Sequence, residues 1–234
     1  MPLPVINAPH YELRIPSTGQ FIQYRPFLVK EEKILLMANE GEEPAEMVRA
    51  MKQIIGNCLQ DDYNTDNMPL FDVEYIFLKL RSKSVNEISE IGFKCPTCNL
   101  VNKIEINLSE VEVTTNDDHT NKVELTDEIG LIMKYPQLDS INISDLESAD
   151  VDTMFNVVSS CIDSIYQGEE IHDSNDYTKD EIAEFINNLT QQQFQKVQEF
   201  FDTMPKLSHT VPYDCSKCDY NEPLIIEGLQ NFFA

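Results

Sequence analysis

Apolar and polar residues alternate near the start of the chain, a pattern that predicts short strands. Tyr11-Glu12-Leu13-Arg14-Ile15 and Phe21-Ile22-Gln23-Tyr24 are separated by the turn residues Pro16-Ser17-Thr18-Gly19, so residues 1–40 read as an arm followed by a β-hairpin. Lys33-Ile34-Leu35-Leu36-Met37 is apolar but too short for its period to choose between strand and helix. From Pro44 the period lengthens: Met47, Val48, Met51, Ile54, Ile55, Cys58 and Leu59 recur at three and four, with Glu42, Glu43 and Glu46 near the positive end of the dipole. An amphipathic helix with one buried face follows.

Between Pro69 and Lys83, Leu70, Phe71, Val73, Tyr75, Ile76, Phe77, Leu78 and Leu80 cover most of a helical cylinder, which predicts a central helix buried on several sides. Glu87 to Phe93 reads as extended, as does Val101 to Leu108. Val111 to Leu125 mixes β-like residues with the polar loop Asn116-Asp117-Asp118-His119, and Ile129 to Tyr135 is a strand broken at Pro136.

Helix starts then become explicit. Ser144-Asp145-Leu146-Glu147 is a capping box, with Val151, Met154, Phe155, Val158, Ile162 and Ile165 on the face that follows. Thr178-Lys179-Asp180-Glu181 is a second, stapled by Tyr177 and Ile182. Thr190-Gln191-Gln192-Gln193 is a third, stapled by Leu189 and Phe194 and continued by Val197, Phe201 and Met204. Three helices are expected, with Gln167 to Asp176 an acidic loop in which His172 is solvated.

Composition changes this picture in one respect. The 234 residues are 41% hydrophobic and 25% charged, which is ordinary for a globular protein, and no apolar run approaches a membrane span. The net charge, however, is −24, from 41 acidic against 17 basic residues. Such a chain repels nucleic acid and anionic membrane unless a basic patch is segregated. Arg81, Lys83, Lys94 and Lys103 are the candidate patch, and scattered solvated cations are the plainer reading.

The candidate chemistry lies in two C-x-x-C motifs, Cys95-Pro96-Thr97-Cys98 and Cys215-Ser216-Lys217-Cys218. Each has an aromatic residue two positions before its first cysteine (Phe93, Tyr213), and each leads into a β-like run. Four thiolates make a closed all-cysteine site, which suits a structural zinc; iron would occupy the same ligands. Asn99 and Asp219, which follow the second cysteines, are types that tolerate positive φ. A redox dithiol is the weaker reading, because thioredoxin-type motifs open a helix and Asn99 to Ile106 reads as strand. Disulfides need an oxidising compartment, and Met1-Pro2-Leu3-Pro4 opens with neither a basic nor an apolar leader segment. With 116 residues between the knuckles, zinc would tie the end of the chain to its middle and make one cooperative unit. Cys58 and Cys161 fall among apolar residues and are expected to be core thiols.

Other chemistry is not found. Asp62, Asn64 and Asp66 suggest a calcium loop, but Asn67 and Val73 stand where glycine and glutamate are required. There is no phosphate loop, G-x-S-x-G or H-E-x-x-H, and His10, His119, His172 and His209 are dispersed. No enzyme is expected. Leu229, Phe232 and Phe233 near the end dock either on the chain's own core or on a partner, and they are the candidate partner contacts.

With these residues read, the chain resembles the baseplate hub proteins of T-even-type contractile-tailed bacteriophages and their marine relatives. The likeness rests on Met1-Pro2-Leu3-Pro4, on Ile22 to Lys33, on Pro69 to Ser84, on Phe185 to Phe194 and on the paired C-x-x-C motifs. It implies a protein that builds the tail hub by contact with other hub or tail proteins, as a resident subunit or an assembly factor. It also implies a location in the virion baseplate, or in the reducing host cytoplasm during assembly. A zinc-ribbon protein that binds nucleic acid or assists transcription is the alternative, and a thiol-disulfide oxidoreductase is a third.

The expected fold is α+β: an N-terminal β-hairpin and helical region (1–90), a first knuckle arm with β segments (91–140), a helical insertion (141–210), and a second knuckle with the tail (211–234).

Overall fold

The structure is a computed structural model, and it describes residues 7–41, 44–60, 65, 67–137 and 151–233. The box at Ser144 to Glu147, the opening Met1 to Pro4 and most of the loop at 61–66 lie outside the described residues.

In chain order the first elements are β1 (Tyr11–Arg14), β2 (Phe21–Tyr24), α1 (Val29–Glu40), α2 (Pro44–Cys58), α3 (Leu70–Ser84), β3 (Ile88–Lys94), β4 (Val101–Asn107) and β5 (Glu112–Thr114). Next come β6 (Lys122–Glu124), β7 (Ile129–Met133), α4 (Val151–Ser160), β8 (Ile162–Gln167), β9 (Glu170–Asp173), α5 (Lys179–Asn187) and α6 (Gln191–Thr203). The chain closes with β10 (Lys206–Val211), β11 (Leu224–Glu227) and a 3-10 turn at Leu229–Phe232. Two compact units result: residues 1–114 with 206–234, and residues 115–205.

The first unit is organised on α3. Phe71, Val73, Ile76, Leu78 and Leu80 are buried around its circumference, as their all-round spacing predicts. Two charged residues go inside with them. Lys79 donates to the Ser109 and Val111 carbonyls at 2.7 and 2.8 Å and pairs with Glu112 at 3.1 Å. Asp72 accepts from the amide and hydroxyl of Ser17 in the β1–β2 turn. Burial is tolerable for each because hydrogen bonds replace its water.

Lys33 to Met37 is helical, inside α1, and Leu36 and Met37 stay exposed there. Its start is fixed by Glu31, wholly buried, which accepts from the Leu28 amide at 2.9 Å and takes both guanidinium nitrogens of Arg25. Cys58 lies beside that pair at the end of α2, and burial pushes its thiol up to about 11. It is a core thiol.

Two sheets of this unit prepare the site. β3 and β4 form a hairpin with Lys94 opposite Val101, and the second sheet has the order β11-β10-β5, all antiparallel. Within it Lys206 pairs with Thr114, so residue 114 and residue 206 are neighbours across a ladder.

The second unit carries a four-stranded antiparallel sheet, β6-β7-β8-β9, with α4, α5 and α6. Its core joins Leu131 and Met133 to Val158, Ile162, Ile186, Val197 and Phe200. Both capping boxes expected here are formed: Thr178 with Glu181, and Thr190 with Gln193. Two expectations are corrected. Ile162 and Ile165 lie in β8 and do not continue α4, because the chain turns at Cys161. Residues 167–176 are not a bare loop: β8 and β9 pair as a hairpin, Gln167 opposite Glu170, across a two-residue connection whose Gly168 has φ +60°. His172 there is half-buried and bonded to the Tyr177 hydroxyl at 2.8 Å. The buried Cys161 thiol is pushed up to about 11 by burial, as a core thiol should be.

Candidate metal centre

Each knuckle is the tip of a strand pair. The first sits between β3 and β4, and the second lies between β10 and β11, where Val211 pairs with Leu224. The same backbone bond closes both: the Cys95 amide donates to the Leu100 carbonyl, and the Cys215 amide to the Tyr220 carbonyl, each at 2.9 Å. In the first knuckle the Asn99 amide also donates to the Cys95 carbonyl at 2.9 Å, with Asn99 at φ +58°. The residue-type argument therefore holds for Asn99. Asp219 does not adopt positive φ.

The turns bring four sulfurs together. Cys95 Sγ lies 3.7 Å from Cys218 Sγ, Cys98 Sγ lies 3.5 Å from Cys215 Sγ, and all four are within 4.8 Å of one another. A disulfide needs a separation of about 2.05 Å, so all six cysteines of the chain are free. Four thiolates about 2.3 Å from one zinc stand roughly 3.8 Å apart at the corners of a tetrahedron. The residues present therefore fit a four-coordinate ion. This is the one such group of His, Cys, Asp or Glu among the described residues.

The electrostatics of the thiols point the same way. The Lys217 amide, and with it the Cys218 amide, bonds the Cys215 sulfur and holds its pKa down to about 5. At Cys95 burial works against ionisation, but the Cys98 and Thr97 amides outweigh it and the pKa is lowered. At Cys218 the Tyr220 amide favours the thiolate, yet burial and hydrogen bonding to Cys215, Cys95 and Cys98 prevail and push it up to about 12. Cys218 is thus driven toward the thiol while Cys95 and Cys215 are drawn toward the thiolate. A dication held there would favour the thiolate at each ligand.

Around the sulfurs stand the two aromatic residues of the motifs and one group that the motif spacing does not reveal. The rings of Phe93 and Tyr213 pack edge to face, and burial, with the Cys215 and Cys95 thiols, pushes the Tyr213 phenol pKa up. Asn102, on β4, reaches across to the second knuckle and bonds Tyr213 and Ser216. Nothing in a single sequence singles out this asparagine, since it lies four residues beyond Cys98 in an ordinary strand pattern. A four-coordinate ion held here would have all its positions filled by protein sulfur, with none open for substrate.

The other candidates fare differently. Phe232 is completely buried and Leu229 nearly so, packed in the chain's own first unit. Only Phe233 keeps an exposed ring, 37% accessible, with the Arg81 guanidinium 5.5 Å from its centroid. The basic patch is largely engaged as well: Lys83 pairs with Glu87, Lys103 with Glu90, and Arg81 stacks on Phe233.

Comparison with known proteins places these features. A family model described as T4 bacteriophage base plate protein matches residues 8–234. The baseplate hub assembly protein gp26 of Enterobacteria phage T4 is 23% identical over 226 residues, covering 95% of this chain and 97% of the relative. No solved structure matches.

Proposed function

Because this chain belongs to the T4 bacteriophage base plate protein family, we propose that it helps build the central hub of a phage tail baseplate, by contact with other tail proteins and without catalysis. A structural zinc held by Cys95, Cys98, Cys215 and Cys218 braces it. The observation that carries the reading is the end-to-end match with a protein named for hub assembly, which leaves almost no part of either chain unmatched.

The zinc reading draws support from the fit of the four sulfurs, two from each knuckle, to a tetrahedron. The ion, when bound, supplies cross-linking between the two knuckles. The protein's own part is to present the sulfurs at the right separation and to exclude water from Cys95, which is fully buried.

Charge supports a protein partner over a nucleic acid. Residues 115–205 contain 20 acidic against 4 basic side chains, so the field of that unit favours a basic protein surface. At the other end of the chain Phe233 is the contact residue left for a partner, Leu229 and Phe232 being committed to the core. No helix among the described residues is long and apolar enough to cross a membrane. Assembly in the host cytoplasm and residence in the virion baseplate both accord with this role.

The test is elemental analysis of the chain purified without chelator, together with identification of the proteins it carries from phage-infected cells. One zinc per chain and hub proteins in the complex are the expected result. Bound nucleic acid without tail proteins would replace this reading with the zinc-ribbon alternative.

A further inference from the structure

We propose that Asn102 is the positioning residue of the metal centre: its amide locks the two knuckles together and sets its own N–H beside the Cys215 sulfur. The inference rests on the zinc reading above and assigns a role to a residue outside the ligand set.

Its geometry begins with one fixed point. The Ser216 backbone N–H, 3.3 Å away, can only donate, so the Asn102 atom that faces it must be the oxygen. The same Oδ1 accepts from Ser216 Oγ at 2.6 Å. Nδ2 is thereby aimed the other way, 2.7 Å from the Tyr213 hydroxyl, 3.3 Å from the Leu100 carbonyl and 3.7 Å from Cys215 Sγ. One side chain of the first knuckle's strand thus grips the second knuckle at residues more than a hundred positions away.

The Tyr213 contact has a direction. Nδ2–H donates at 2.7 Å and the Tyr213 oxygen accepts, so the same amide that holds Ser216 through its oxygen holds the phenol through its nitrogen. Asn102 therefore acts on the Cys215 sulfur from Nδ2, 3.7 Å away, while its grip on Ser216 and Tyr213 fixes where that sulfur stands. Hydrogen bonds to ligating groups orient them and tune their donation to the metal. Aspartate has the same shape but accepts at both oxygens. In its place the N–H beside the sulfur would be lost, and a negative charge would enter beside the thiolates. Alanine would remove the grip altogether.

The experiment uses the full chain, reduced and stripped of metal, titrated with zinc against a chromophoric chelator and separately with cobalt(II). Asn102→Asp and Asn102→Ala are expected to bind either ion about 10- to 100-fold more weakly. The cobalt charge-transfer band should move to lower energy, because a sulfur relieved of a hydrogen bond gives up its electrons more easily. Tyr213→Phe, which leaves Nδ2 beside the sulfur, should move the band less than Asn102→Ala does. Helical circular dichroism at saturating zinc checks that each variant folds. Tyr213→Phe, which deletes a single oxygen, removes one arm of the Asn102 grip and should still weaken the ion's hold where an Asn102 variant does not fold. Variant affinities within twofold of the parent, with superimposable cobalt spectra, would overturn the role of Asn102 and leave the zinc reading standing. A parent chain that takes up neither ion would overturn both.

Discussion

The rings of Phe93 and Tyr213 meet edge to face, their centroids 5.0 Å apart and their planes inclined at 73°. Each stands two residues before the first cysteine of its own knuckle. Equal offsets in two distant stretches thus become one contact, because the two knuckles are built on the same strand-turn-strand plan and meet at their tips. An edge-to-face pair is worth about 0.5–1.5 kcal/mol beyond its burial, and it fixes the strand ends that carry the sulfurs.

Removing one ligand should therefore be felt beyond the site. Cys98→Ser is expected to lose the ion and at least ~3 kcal/mol of stability, a fall of roughly 6–12 °C in melting temperature for a chain of this size. A chelator added to the parent chain should produce a comparable fall. Thermal melts with zinc analysis of each sample check both, and an unchanged melt in either would count against metal bracing.

The end of the chain separates into a core residue and a surface residue. Phe232→Ala empties a fully buried site and should cost about 3–5 kcal/mol. Phe233→Ala loses only a stacked contact with Arg81 and should cost about 1 kcal/mol or less, while weakening association with hub proteins. Urea denaturation and co-purification distinguish the two. Deleting the last six residues should consequently destabilise the first unit, not merely its contacts.

Glu31 holds Arg25 in a site where the carboxylate is wholly buried. Glu31→Gln leaves the guanidinium without its counter-charge and should cost about 3 kcal/mol at neutral pH. Burial alone would raise this carboxyl, but Arg25 and the Leu28 amide outweigh it and the pKa is lowered. The stabilisation is thus present above the unfolded carboxylate pKa and is lost as pH falls through the depressed folded value. Denaturation of parent and variant across the acid range should show the gap closing.

Asp72 should behave in the opposite sense. Burial raises its pKa, and the two bonds from Ser17 only partly offset the effect. A carboxyl raised on folding opposes folding most fully above its folded pKa, and the penalty vanishes below the unfolded one. Asp72→Asn keeps an oxygen for the Ser17 amide and gives the hydroxyl an N–H to accept. The variant should be more stable than the parent at neutral pH, with the two converging in acid; equal stability at neutral pH would refute it.

Much of this was legible in the residues, for identifiable reasons. The all-round apolar spacing of 70–80 could only be a buried helix, the boxes at Thr178 and Thr190 carry their own hydrogen-bond partners, and the paired C-x-x-C motifs predict a shared site whatever separates them. Ile162 and Ile165 misled because they stand four and seven residues after Val158, a helical interval that a turn at Cys161 interrupts. Gly168 within Gln167-Gly168-Glu169-Glu170 was the available signal of a hairpin there. Asn102 carried no signal at all: its partners are supplied by tertiary contact, and its neighbours in sequence say nothing of them. The burial of Leu229 and Phe232 was equally invisible, since an apolar terminus looks the same whether it docks at home or elsewhere.

The pairing of Thr114 with Lys206 has one more consequence. The chain departs for residues 115–205 and comes back through adjacent rungs of one ladder, so the first unit presents two strand ends at the spacing of a hairpin. Loop closure costs only a logarithm of length. Selection can therefore lengthen, recharge or replace what lies beyond those rungs while the cysteine-bearing stem keeps its register, much as an interchangeable tool is changed on a fixed shank.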